Sequence, residues 1–352
     1  MIKGGTFLIE TKPQGNRNAI AVAAIIMQLS LGAVYGYSVL TTPIMQVGGW
    51  SATLVAGMFE SAIFFLGLGC LLGGLWQDRV GPRRVAVTGG ILYGLGYIIA
   101  AYGAAAGSLL MIILGYGVIG GLGNGFAYIT PVATLVKWFP DKRGVVTGLA
   151  VAGFGVGAMI MTAFVSYWLP RYGVASTLLW MGLGYGVIVT LGALTFTLPP
   201  NGWRPPGWSP GEGGAKAVGR SYTAAEALRT PQYWMLWLML FLNVCAGIMI
   251  ISTLKPLAVE TVGMTAAAAV ALVGFMGLFN GGGRLFWAWV SDRIGRPRVF
   301  LIMYLMQAVL FGLLLLTTNV AMFSAITALI YLCYGGGFGT MPSFVADYFG
   351  PE

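Results

Sequence analysis

Gly74-Leu-Trp-Gln-Asp78-Arg79-Val-Gly81-Pro-Arg83-Arg84 and Ala288-Trp-Val-Ser-Asp292-Arg293-Ile-Gly295-Arg296-Pro-Arg298 are two versions of one phrase, 214 residues apart. Each follows a long apolar run and precedes another. A second pair of landmarks keeps nearly the same offset, 210 to 212 residues: Gly125-Phe126 … Pro131 … Trp138-Phe139 and Gly337-Phe338 … Pro342 … Tyr348-Phe349. A fixed offset carried by two separate phrases makes the chain two copies of one unit.

Working outward, a membrane-crossing helix needs about 20 mainly apolar residues. Ten runs qualify: 19–40, 52–76, 84–105, 108–134, 144–169, 174–197, 233–254, 264–290, 299–317 and 320–345. The composition agrees. Of 352 residues 58% are apolar and 8% charged, the mean hydropathy is +0.84, and a soluble domain carries about 25% charge. Such a chain cannot cover its own surface in water, so it is read as an all-α polytopic membrane protein. The first run is too long for a cleaved signal-peptide core and is expected to stay.

The stretch 198–231, rich in Pro, Gly and basic residues, separates six runs from four. It reads as a linker between a bundle at 1–197 and a second at 232–352. The second copy stops after its fourth run, because Phe349-Gly-Pro-Glu352 aligns with Phe139-Pro-Asp-Lys142. By analogy, about 55 further residues forming two more spans are expected to follow, and the 352-residue form is expected to fold poorly or not to transport. A natural ten-span chain is the alternative, with unequal bundles.

Alternating the runs across a bilayer places sixteen basic residues on one side, including Lys3, Arg17, Arg79, Arg83, Arg84, Lys137, Lys142, Arg143, Arg293, Arg296 and Arg298. Only Arg171 and Lys255 fall opposite. By the positive-inside rule the N-terminus and the linker are cytoplasmic, as in a bacterial-type inner membrane. The net charge of +9 is therefore topology, and nucleic acid is not needed to explain it. The chain has no histidine, which excludes a Ser-His-Asp or Cys-His pair and imidazole metal sites. Cys70, Cys245 and Cys333 each sit inside an apolar run and read as small core residues rather than a disulfide or metal set. The glycine pairs, such as Gly153/Gly157 and Gly277/Gly281, read as close helix contacts. None has the context of a nucleotide loop, which disfavours an ATP-driven pump. No cofactor or metal is expected, and no enzyme activity, since no nucleophile, base or metal set clusters within the runs.

The two Asp-Arg-x-Gly loops resemble the loop signature of the major facilitator superfamily, departing from it at Pro82, Ala288 and Pro297. That resemblance implies two six-helix bundles, the second present here through its fourth span. It makes Asp78, Arg79, Arg83, Asp292, Arg293 and Arg296 a gating latch, with the aspartates favoured at helix N-termini and the arginines paired across the interface between bundles. Lys137-Trp-Phe-Pro-Asp-Lys-Arg-Gly144-Val-Val-Thr-Gly148 and the fifth run resemble the oxalate/formate antiporter family, as do Leu31-Gly-Ala-Val-Tyr35-Gly-Tyr-Ser38, Phe64-Phe-Leu-Gly-Leu-Gly69 and Asn280-Gly-Gly-Gly-Arg284. This likeness implies exchange of small carboxylates at an arginine corresponding to Arg284, with a lysine of the eleventh span and an aromatic cage.

Arg284 also stands out on physical grounds. It lies eight residues before Asp292, about 12 Å at about 1.5 Å per residue, against a hydrocarbon half-thickness of about 15 Å. A charge there costs at least about 2.5 kcal/mol on insertion scales and marks a functional site by default. The residue one turn away on the same face is Asn280. In the related monocarboxylate transporters an aspartate commonly accompanies this arginine; with an amide instead, the guanidinium is expected to be free to take a carboxylate bidentately. Tyr35, Tyr128, Phe154, Tyr334 and Phe338 fall in runs that line the cavity in this superfamily and are expected to wall the site. Glu60, inside the second run, is either a proton carrier or a hydrogen-bonded structural carboxyl. Lys255 either snorkels or draws anions to the outer vestibule. The expected function is exchange of oxalate- or formate-like anions by a monomer, with a proton-coupled lactate- or pyruvate-type symporter as the alternative.

Overall fold

The glycine of each Asp-Arg-x-Gly phrase ends one helix, and the next residue begins another. Gly81 has φ 85° and Gly295 φ 90°, a region that residues with a Cβ rarely enter. The repeated glycine is thus a requirement of one repeated turn. The computed structural model describes residues 16–200, 203–205 and 222–350. Lys3, Lys12, Lys216, Arg220 and most of the expected linker lie outside them.

Among the described residues the chain is helical, without strands. The first crossing is α1 (Arg17–Leu31), a tightened 3-10 segment Gly32–Gly36, and α2 (Ser38–Gly48). Next come α3 (Ala52–Val80) and α4 (Pro82–Ala105), then α5 (Leu109–Ile112), which runs through a π-helical segment Ile113–Gly120 into α6 (Gly121–Trp138). They are followed by α7 (Arg143–Leu194), the short α8 (Ala224–Ala227), α9 (Pro231–Val262), α10 (Ala266–Ile294), α11 (Arg296–Leu315) and α12 (Val320–Phe349). The starts are capped as the local sequence dictates. Asn16, Ser51, Thr230, Thr265 and Asn319 each accept from backbone N–H groups of the first turn.

Nine of the described helices are long and apolar enough to cross a membrane, against ten runs in the sequence. The difference is α7. Its 52 residues would extend about 78 Å as one rod, more than twice the roughly 30 Å hydrocarbon core. Gly173, at φ 75° and ψ 177°, breaks it. Trp168 and Trp180 would be about 18 Å apart along a straight helix, yet their rings are 5.9 Å apart, and Trp168 Nε1 donates to Ser176 Oγ at 3.1 Å. The fifth and sixth runs are therefore two arms reversing at Gly173, which gives ten membrane-length arms among the described residues, and the chain is an integral membrane protein.

Helices α1 to α7 pack mainly on one another, and α9 to α12 likewise. The main seam between these groups is α7 against α10. A Cβ on Gly155 would lie 2.5 Å from the Gly281 nitrogen, so glycine at both positions lets the two backbones touch. That contact is one residue from Asn280 and fixes the height at which the seam meets Arg284.

Candidate functional site

Arg284 is fully buried. The i,i+4 geometry of α10 brings Asn280 alongside, and Arg284 Nε donates to Asn280 Oδ1 at 3.3 Å. From the tightened segment of the first crossing, Tyr35 Oη accepts from Arg284 NH2 at 3.4 Å. Tyr334, on α12, donates to the same Tyr35 oxygen at 2.8 Å. The guanidinium carbon lies 5.5 Å from the Phe154 ring centroid and 5.0 Å from that of Phe338, within cation–π range. Tyr128 packs edge-on to Phe154 at 4.9 Å, and its hydroxyl lies near enough to couple to the Arg284 charge. Tyr35 meets Phe154 at 5.1 Å, and Tyr334 meets Phe338 at 5.3 Å. All seven side chains expected around the site form one cluster, drawn from five helical segments.

The guanidinium is less free than expected. Asn280 engages Nε and Tyr35 engages NH2, while NH1 has no partner at hydrogen-bond geometry and the Tyr128 hydroxyl stands close to the guanidinium. Because Asn280 Oδ1 faces the arginine, its amide nitrogen points away, and Nδ2 is also buried without a partner. Two buried donors one turn apart are thus unsatisfied. Neither ion pairs nor hydrogen bonds bring a carboxylate to Arg284 among the described residues. The site can accept a compact anion with two oxygens, held by hydrogen bonds and walled by π faces.

Behind it lie buried amides that the sequence reading did not single out. Asn243 Nδ2 donates to the Tyr334 carbonyl at 3.1 Å, and Gln307 Nε2 donates to Asn243 Oδ1 at 3.0 Å, joining α9, α11 and α12. On the other side Asn124 Nδ2 donates to Leu31 O at 3.0 Å, and Gln28 Nε2 to Tyr128 O at 3.2 Å. Each pair braces an aromatic wall. Their signal was an amide in the middle of an apolar run.

The loop residues pair differently from expectation. Arg83 Nε donates to Phe196 O at 3.3 Å, beyond the end of α7. Arg296 pairs with Asp292 at 2.6 Å and Asp347 at 3.2 Å, and donates to Ser291 Oγ. These partners belong to the arginine's own group of helices rather than to the opposite bundle. Arg293 stacks on Trp289, one turn back, at 3.4 Å, while Asp78 and Arg79 are exposed. The reason is reach: the basic tails follow the Gly81 and Gly295 turns and fold under adjacent helix ends. Glu60 shares an exposed stripe of α3 with Phe64, Leu71 and Leu75. It makes no hydrogen bond or ion pair within the described residues and stands apart from the Arg284 cluster, on the side of Tyr37.

The Major Facilitator Superfamily model matches residues 16–352. An uncharacterised MFS-type transporter of Escherichia coli, YhjX, is 30% identical over 345 residues, covering 96% of this chain and 82% of that protein. The oxalate:formate antiporter of Oxalobacter formigenes is 28% identical over 344 residues, covering 96% and 78%. A bacterial homologue of the human lysosomal transporter Spinster, solved inward-facing and unoccupied, superposes with a TM-score of 0.67 at 18% identity, covering 95% of this chain and 76% of that one. The repeated loop, the crossings and these likenesses agree, and the chain belongs to the Major Facilitator Superfamily of membrane transporters, which are not enzymes.

Proposed function

We propose that this chain is a secondary carrier that exchanges small carboxylates such as oxalate and formate, working as a monomer with the Asp78 and Asp292 loops on the cytoplasmic side. The observation that carries the reading is the fully buried guanidinium of Arg284, whose NH1 has no hydrogen-bond partner, inside an aromatic wall and away from any carboxylate of the described chain. Similarity to the oxalate:formate antiporter and the basic residues on the loop side support it.

Closing two bundles over an unpaired guanidinium removes a charge from water without compensation, at an effective penalty of several kcal/mol. A bound carboxylate offsets that penalty through charge-assisted hydrogen bonds. Closure is then favoured by cargo from either side, and rocking of one bundle against the other exchanges anions rather than leaking them. Proteoliposomes loaded with formate and given labelled oxalate test this. Uptake that depends on internal formate and ignores an imposed pH gradient is expected. Uptake driven by the pH gradient without internal anion identifies a proton symporter instead.

A further inference from the structure

Lys255 lies near the end of α9 remote from the Asp292 loop, and its Nζ donates to the Val39 carbonyl on α2 at 3.2 Å. This bond crosses between the two groups of helices. It is available because of a proline: the N–H that would ordinarily bond Val39 O belongs to residue 43, and residue 43 is Pro43, inside α2, which has no N–H to give. The orphaned carbonyl is taken by an ammonium from the other group. Pro256, 213 residues after Pro43, is the repeat counterpart and sits inside α9 beside Lys255. The counterpart of Lys255 is Thr42, so the cationic arm runs in one direction only. Lys255 forms no ion pair with a carboxylate in the described structure, and its side chain reaches sideways rather than out along the helix as a snorkelling lysine would.

We propose that Lys255 and Val39 O form the far-side latch of the carrier, and that the released ammonium is the first contact for an anion arriving from that side. The second half of this proposal rests on the anion reading above; the first half does not. Separating α2 from α9 frees the ammonium from a neutral carbonyl, and a free cation at the mouth of a closing vestibule attracts anions. One charge-assisted hydrogen bond is small enough to break within a transport cycle and large enough to shift an open-to-closed ratio about tenfold.

The test uses the full chain in liposomes, with Cys70, Cys245 and Cys333 replaced by serine and spin labels at Gln46→Cys and Thr261→Cys. Distance distributions are measured without substrate. Lys255→Met is expected to raise the long-distance fraction relative to the short one about tenfold. Pro43→Ala restores an N–H for Val39 O and is expected to do the same, while the double variant goes no further than either single one. Unchanged distances, or additive shifts, overturn the latch. Pro43→Ala places a good helix former in a helix, which guards against a Lys255 variant that does not fold. In parallel, labelled oxalate is offered from each face. Lys255→Met is expected to raise the half-saturation concentration at least about tenfold from the far face and little from the loop face. Equal changes from both faces, with the distance shift intact, remove the anion-contact role and leave the latch standing.

Discussion

Tyr35 and Arg284 are 249 positions apart in the chain and 3.4 Å apart in the fold. The Tyr35 oxygen accepts from Arg284 and from Tyr334 together, which leaves its own proton free to donate. A carboxylate on the guanidinium would therefore find a further donor in the Tyr35 hydroxyl. Tyr35→Phe keeps the ring against Phe154 and removes that donor. Oxalate affinity is expected to fall about tenfold or more, the size of a hydrogen bond to a charged group, and stability by about 1–3 kcal/mol, because Arg284 NH2 and Tyr334 Oη both lose their acceptor. Equilibrium binding and a melting curve on the same sample measure both.

Asn243 holds the backbone of Tyr334 from behind, and Gln307 holds Asn243. Asn243→Ala removes the second bond to the Tyr334 carbonyl and strands the buried Gln307 amide, and is expected to cost about 1–2 kcal/mol of stability in detergent unfolding. Changing Asn243 and Gln307 to leucine together removes both polar groups and should cost less than the sum of the single changes.

Ten apolar runs were legible because each must satisfy its backbone within itself in a bilayer. The reversal at Gly173 falls in the gap between the fifth and sixth runs, where a non-helical φ of 75° and ψ of 177° part the two arms. Arg284 was legible because an isolated cation at mid-depth is costly enough to require a role. Glu60 carries the same signal in the sequence. Only the fold separates them, since Glu60 lies on an exposed stripe of α3 and Arg284 on the buried face of α10. The π-helical segment before α6 and the tightened segment that carries Tyr35 left no mark in the apolar pattern, because both keep the chain helical and change only its winding.

The close approach of Gly155 to Gly281 leaves no room for a methyl group. Gly155→Ala must push α10 away from α7, and is expected to destabilise by about 1–3 kcal/mol, as overpacking does, and to slow exchange. Thermal unfolding and initial exchange rates would show it.

Arg296 bridges α10 and α12, but Asp292 is 67% exposed and Asp347 42%. Solvent-exposed pairs are worth about 0–1 kcal/mol. Arg296→Gln is expected to change the melting midpoint little, and a large loss would show that the bridge carries more than its exposure allows.

The direct test of the central claim is equilibrium binding of labelled oxalate to the purified protein and to its Arg284→Gln variant, which needs no transport. The account predicts saturable binding that weakens at least about 30-fold in the variant, the loss expected when one partner of a buried charge pair is removed. Equal binding by the two proteins would contradict it.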